Sequence, residues 1–386
     1  VETIENQIDP VVLAQVIRRA CADQSLALES WQVQPIAYPN LRPDSRGLYR
    51  VAGTARAADR CREWSVVLKL LGAPPDAPHD DPAQPFYWKR EALAYASDLL
   101  QSGNQAVGLA APRCWLIDQR SERQIWLWLE DLASSGLERW PIERYALAAH
   151  DLGRYQGALL ADRELPNHAW LSRGLIRAWV DDSAPLIERI ARTDVWSLPL
   201  LQAFPASVAP AVVALWHDRE RFFAALERQP QTLCHHDLWR NNLFARSTAS
   251  HQEQTIAIDW ELVGLGAAGE DLGNLLGVSL LNVDVAAEDA PELADRLLQS
   301  YLAGLHAAGW RGDPQPIQLV YRTTAALRCV FSTTGWPVSI ALDPERYVAD
   351  TEQRWQRPIE QIMEQWAATT LFLLDQARQA RSLIDR

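Results

Sequence analysis

A chain of 386 residues that is 48% hydrophobic and 22% charged has the balance of a folded globular protein, and no apolar run approaches the roughly 20 residues a membrane helix needs. Acidic residues outnumber basic ones 49 to 37, and a net charge of −12 repels nucleic acid, so neither a nucleic-acid nor a membrane partner is expected. Without the basic-then-apolar pattern of a signal peptide, with Val1 suggesting an initiator Met removed or left out of the numbering, and with Cys21, Cys61, Cys114, Cys234 and Cys329 scattered and lacking a C-x-x-C pair, the expectation is a cytoplasmic protein with reduced thiols.

In chain order, Asp9 before Pro10 and the apolar run Val11, Val12, Leu13, Val16 and Ile17 predicts a capped helix. Five short segments rich in β-branched and aromatic residues follow, at 31–39, 48–55, 64–71, 112–118 and 124–129, and read as strands. Between the third and fourth, Leu93, Ala96, Leu99 and Leu100 recur at helical spacing within 87–100. The Pro-rich stretch 73–85 is a connector, and the small polar residues of 130–136 mark a hinge. From 141 onward the pattern is helical, at 145–160, 171–180, 209–226, 288–308 and 348–383. Only 232–234 with its continuation 243–244, and 255–258, look like strands there. Seventeen Trp against one Met signals a rigid interior or an aromatic-lined pocket.

The sharpest chemical signal is His235-His236-Asp237-Leu238-Trp239-Arg240-Asn241-Asn242, which fits H-x-D-x-x-x-x-N. Phosphoryl transfer needs a carboxylate to align a hydroxyl and take its proton, and an amide oxygen that ligates magnesium without adding charge. Asp237 and Asn242 suit those roles. A His-Asp pair also serves as a plain loop network, so the pattern gains weight from its surroundings. The next apolar strand ends in Asp259, followed by Trp260 and Glu261, where a second metal ligand belongs, although a strand-end Asp also caps turns. Upstream, Lys69 stands inside the apolar run Val66 to Leu71, and Glu91 on the following helix supplies its anion. Lys69, Glu91, Asp237, Asn242 and Asp259 thus occur in kinase order on the right kinds of element.

With these residues on the page, the chain resembles the aminoglycoside phosphotransferase and choline/ethanolamine kinase superfamily. The resemblance spans roughly residues 48–276 and rests on Leu233-Cys234-His235 through Asn242-Leu243, on Ile258-Asp259-Trp260-Glu261, on Trp128 to Leu132, similar to the family's hinge, and on Asp271-Leu272. It implies an α+β, protein-kinase-like two-lobed fold, with an antiparallel sheet and one main helix in a nucleotide-binding lobe (1–132) and a helical lobe (133–386) holding the catalytic loop and acceptor pocket. It further implies ATP and Mg²⁺ as cofactors, adenine against the backbone of Glu130 and Leu132, a structural His235, and Asp271 bracing the catalytic loop. The phosphate-covering loop at 40–48 departs from the protein-kinase pattern, with Gly47 as its one glycine; Ser45, Arg46 and Gly47 are expected to close over the phosphates through backbone N–H groups. The expected acceptor is a small-molecule hydroxyl; Trp239, Glu261, Asp181, Asp182, Trp336 and the acidic balance suit a cationic aminoglycoside or amino alcohol, the acids equally read as a solvated surface, and sugars, macrolides, choline-like alcohols and modified amino acids stay open.

Two other readings follow from the same residues. A nucleotide-binding scaffold would keep the fold without turnover. Gly264, Gly266 and Gly269 spell G-x-G-x-x-G with Asp284 beyond, the mark of an NAD-binding turn in an oxidoreductase. Against this stand the five residues between Ile258 and the first glycine, and an N-terminal half without alternating parallel strand and helix units.

Overall fold

The computed structural model describes residues 3–36, 45–58, 60–74, 80–100, 108–132, 140–162, 164–247 and 253–386. After the short helix α1 (Ile4–Gln7), α2 (Pro10–Ala20) begins where Asp9 accepts a hydrogen bond from the Val11 N–H at 2.8 Å, with Pro10 at the first helical position. Five antiparallel strands follow: β1 (Ala27–Pro35), β2 (Ser45–Ala57), β3 (Arg60–Gly72), β4 (Cys114–Ser121) and β5 (Gln124–Glu130), ordered β1-β2-β3-β5-β4.

Strand periodicity divides the sheet into two faces. Trp126 and Trp128 of β5, with Val66, Leu68 and Leu70 of β3, face α2 and close over Leu13, Val16 and Ile17. The intervening Ile125, Leu127 and Leu129 join the opposite core, with Trp88 and Tyr95. Lys69 falls between Leu68 and Leu70 and opposite Leu127, so alternation turns it to that second face. Among the described residues between β3 and β4, the α-helix is α3 (Arg90–Ala96), shorter than the periodicity predicts because Ser97 turns extended (ψ 170°) before a 3₁₀ turn at Asp98–Leu100.

The second half is built on helices: α4 (Ile142–Asp162), α5 (Leu175–Asp181), α6 (Ala184–Ile190), α7 (Val208–Glu227), α8 (Glu270–Leu281), α9 (Ala290–Ala307), α10 (Pro314–Leu342), α11 (Pro344–Trp355) and α12 (Ile359–Ile384). Short strands interrupt them. β6 (Ser172–Arg173), β7 (Gln231–Cys234) and β10 (Gly264–Ala267) form one small sheet, ordered β6-β10-β7; β8 (Leu243–Ser247) and β9 (Glu253–Ala257) form a hairpin. The protein therefore has the protein-kinase-like two-lobed fold, and no helix among the described residues is long and apolar enough to cross a membrane.

Several helices depart from the sequence expectation for identifiable reasons. The stretch 171–180 is split, since Ser172–Arg173 pairs with β10 and Gly174 turns left-handed (φ 63°) before α5. The long helix at 348–383 is two helices, divided where Gln356 takes φ 51° and Pro358 follows. α8 and α10 were not anticipated at all. Every residue of α8 is buried, and α10 is buried on most of its circumference, so neither carries the apolar stripe by which a surface helix is read. α10 also contains Pro337 and tolerates Thr334 by returning its hydroxyl to the Val330 carbonyl at 2.8 Å.

Candidate functional site

The structure brings Lys69, Glu91 and Asp259 into direct contact. The Lys69 Nζ lies 2.6 Å from a Glu91 carboxylate oxygen and 2.6 Å from Asp259 Oδ1, and both Lys69 and Glu91 are buried. Burial by itself would pull the Lys69 ammonium down, but the Asp259 and Glu91 carboxylates outweigh it and hold its pKa well above the ordinary range. Burial likewise pushes Glu91 up, against the pull of Lys69. Asp259 reaches this position from a left-handed backbone (φ 66°), a conformation that costs an L-residue roughly 1–2 kcal/mol and that Asp tolerates better than most.

Arg90 holds α3 in register with this trio. Its guanidinium is wholly buried and donates to the carbonyls of Gln84 and Pro85 at 2.6 Å and of Trp170 at 2.7 Å, and to the Glu261 carbonyl at 3.2 Å. Glu91 and the 259–261 segment are thus positioned by the same cation. An Arg next to an acid on a short helix reads as a surface residue in sequence, and nothing in its spacing marks it out.

The catalytic-loop pattern 235–242 follows β7 and is pinned from below by Asp271 at the start of α8. Asp271 accepts the His235 N–H at 2.9 Å and the His236 N–H at 2.7 Å, and its Oδ2 also accepts from Gln156 Nε2 at 3.0 Å. These bonds hold His236 in its left-handed conformation (φ 66°). His235 is a structural spacer: its Nε2 meets the Ile258 carbonyl at 2.8 Å and its Nδ1 accepts the Asp237 N–H at 3.2 Å. Burial lowers its pKa, so the ring is neutral, with the proton on Nε2 directed at the carbonyl. Asn242 is fully buried, and its Nδ2 donates to both the carbonyl and Oδ2 of Asp237 at 2.9 Å, fixing that carboxylate's rotamer. The indole of Trp260 fills the space behind the loop, donating to the Ala257 carbonyl at 2.7 Å with its ring 4.7 Å from that of His235.

All of this opens on a cleft of about 640 Å³ between the lobes. Lys69, Glu91, Asp237 and Asp259 line its charged end, and Glu261 stands beside them, close enough to add to the field on Lys69. Val67, Leu129 and Leu132 line it with apolar surface at and just beyond the sheet, next to Glu130. Glu130 is tied down by Arg246 and by the Arg113 N–H at 3.0 Å, and Arg50 pairs with Asp131 at 2.8 Å. Ser45, Arg46 and Gly47, expected to cover the phosphates, form the start of β2, paired with β3, and Gly47 packs against the Tyr49 ring. Residues 40–44 lie outside the described residues, as do 133–136 of the expected hinge.

The far wall comes from helices. Trp179, Asp182, Ser183 and Leu186 present one face of the α5–α6 segment, and Arg328, Ser332 and Trp336 repeat every fourth residue along α10. Trp239 from the loop joins them. Of the residues expected to meet an acceptor, Asp181 is absent from this wall and faces Arg219 at 3.4 Å on the surface. Arg328, Ser332 and Arg354 escaped the sequence reading, although Arg-x-x-x-Ser-x-x-x-Trp in an otherwise apolar stretch was a usable signal.

The G-x-G-x-x-G pattern has a packing cause. Gly264, Gly266 and Gly269 sit in or beside β10, where a Cβ on Gly264 would come within 2.2 Å of the Ser172 carbonyl oxygen and one on Gly266 within 2.7 Å of the His236 ring. These glycines let strands and catalytic loop approach closely, and the turn geometry of a dinucleotide site is missing.

Residues 197–309 match the ecdysteroid kinase-like family. In architecture the chain is similar to a microcompartment-associated aminopropanol kinase (14% identity, 96% of this chain and 98% of that one covered, TM-score 0.51). Further likenesses are to the amicoumacin kinase hAmiN, determined with AMP-PNP, Ca²⁺ and Ami (14% identity, 94% and 95% covered, TM-score 0.48), and to an ethanolamine kinase of Plasmodium vivax (14%, 92% and 83%, 0.45). No curated protein sequence matches the chain.

Proposed function

We propose that this chain, whose fold is that of the aminoglycoside phosphotransferase and choline kinase-like small-molecule kinases, is an ATP-dependent phosphotransferase acting on a hydroxyl group of a small molecule. One observation carries the reading: four segments remote in sequence deliver Lys69, Glu91, Asp259 and Asp237 to one end of one cleft, with Lys69 bridging two carboxylates at 2.6 Å. The carboxylates there outnumber the ammonium, which suits a hard divalent cation carried with a polyanion. Asp259 and Asn242 would hold Mg²⁺, which when bound neutralises charge on the phosphates. In this reading residues 1–132 form the nucleotide lobe and 133–386 the acceptor lobe, in a protein of the cytoplasm.

The chain's own residues then divide the work. Lys69, held straight by Glu91, directs its ammonium to the phosphate oxygens; the 129–132 strand end offers backbone groups to the adenine. Asp237, its rotamer set by the Asn242 amide, orients the acceptor hydroxyl and receives its proton. Because phosphoryl transfer proceeds through a loose transition state, position and charge supply most of the acceleration.

The test is a phosphate-transfer screen over amino alcohols, aminoglycosides, sugars and hydroxy acids with Mg-ATP, repeated with Asp237→Asn. The variant is expected to keep Mg-ATP binding and lose roughly 10²–10⁴-fold in turnover. Turnover equal to the parent would remove Asp237 from its role. Mg-ATP binding without transfer to any acceptor would instead support the scaffold reading.

A further inference from the structure

Resting on the kinase reading just given, we infer that the acceptor is an alcohol with an apolar or aromatic body that also carries a carboxylate, recognised by Arg328 with Arg354 on the helical wall of the cleft. Arg328 rises from the middle of α10, a helix buried on most sides, and its guanidinium carbon lies 4.0 Å over the Trp179 ring. Its Nε is buried with no hydrogen-bond partner, and neither Arg328 nor Arg354 makes a salt bridge among the described residues. By contrast, Arg177, Arg219 and Arg381 each hold a carboxylate within 3.4 Å, and Arg90, Arg189 and Arg322 spend their donors on carbonyl, hydroxyl and amide oxygens.

A partly buried cation without an anion is unusual in a protein that has acids to spare, 49 against 37 bases. Among the cleft-lining residues that the helical wall contributes, Asp182 is the one acid, against the two guanidinium groups of Arg328 and Arg354. The Trp179 ring covers one side of the Arg328 guanidinium at 4.0 Å, which leaves the two terminal nitrogens as a two-toothed donor for a ligand. A carboxylate matches that fork with two parallel bonds, as a primary ammonium cannot. The surrounding Trp179, Trp336, Leu186, Val278 and Leu281 surfaces exclude water from the rest of the molecule and favour an apolar body. The acidic composition, which by itself points to a cationic acceptor, is therefore not the composition of this wall.

The experiment uses one carbon skeleton with three charges: 3-phenyllactate, its neutral amide, and phenylalaninol. Binding to the full chain with Mg-AMP-PNP is measured by calorimetry, and phosphate transfer from ATP is measured separately. The carboxylate member is expected to bind most tightly. Arg328→Met should weaken it by roughly ten- to a hundredfold while leaving the amide unchanged, with Arg328→Lys recovering part of the loss. Thermal stabilisation by Mg-AMP-PNP identifies the variants as folded. Preference for phenylalaninol, equal binding of all three, or no binding of the carboxylate would overturn the inference. So would an Arg328→Met defect confined to the KM for ATP, since the guanidinium would then serve the triphosphate. Arg328-dependent binding without transfer would leave the anion site standing and count against the kinase reading; transfer to the amide or amine alone would do the reverse.

Discussion

The two ends of the cleft are built on opposite principles. At the charged end, side chains are interlocked: Lys69 bridges Glu91 and Asp259, Asn242 holds Asp237, and Asp271 holds the loop backbone beneath them. At the helical wall, aromatic and aliphatic surfaces dominate, and the guanidinium of Arg328 lies over Trp179 without a salt bridge. The first end is preorganised for one reaction, with every rotamer determined by a neighbour. The second is a shaped apolar wall with one or two charges left for a ligand to satisfy. That contrast separates chemistry from selectivity: changes at the first end should act on turnover whatever the acceptor, and changes at the second on the choice of acceptor.

The largest expected effect breaks the charged end. Lys69→Met leaves Glu91 and Asp259 facing each other without a cation, and should lower kcat/KM by roughly 10²–10³-fold for every acceptor, read by coupled ADP release. A loss confined to some acceptors would dissolve the division between the two ends. A smaller effect is expected at the wall, where Trp336→Ala removes an indole packed against Trp366 at 6.1 Å. It should raise the KM for an apolar acceptor by roughly tenfold with kcat little changed, in keeping with about 1.5–3 kcal/mol for a large buried side chain. A fall in kcat with unchanged KM would place Trp336 in the chemistry instead.

The smallest effect concerns the support under the loop. Glu270 is buried beside His236, its carboxyl pushed up by burial from 4.5 to about 8. A raised carboxylate pKa means that the folded protein holds a proton the unfolded chain has released, so stability declines as pH rises from about 4.5 through about 8. His236, pulled down by burial to about 3, contributes the opposite slope, with stability lost as pH falls from 6.5. The two slopes offset each other between 4.5 and 6.5, and the Glu270 decline is exposed above that. Glu270→Gln should flatten the fall in Tm between pH 6.5 and 8, measured by calorimetry; an unchanged slope would show that Glu270 is not the titrating group.

Local chemistry made much of the charged end readable. Lys69 in an apolar strand, the 235–242 pattern and a strand-end Asp259 each violate local expectation in a way that calls for a partner, and such violations are visible one residue at a time. The five N-terminal strands were legible for a related reason: alternation of period two survives in Trp126, Trp128 and their neighbours because one face of the sheet lies under α2 and the other under the main core. The composition and these patterns, by themselves, determined the class of fold, with a sheet-rich lobe ahead of a helical one, and singled out the residues that the structure brings together at the charged end.

Tertiary structure alone decided the rest. α8, buried all round, and α10, buried on most sides, leave no clear apolar stripe, so Arg328, Ser332 and Trp336 form a common face only in the folded helix. Arg90 looks like a solvated residue until four carbonyls are found around it, and the glycines at 264, 266 and 269 look like a nucleotide turn until Ser172 and His236 are found against them. The physical reason is the same in each case: a motif reports what a residue can do, whereas which groups surround it is set by long-range packing that no local window of sequence contains.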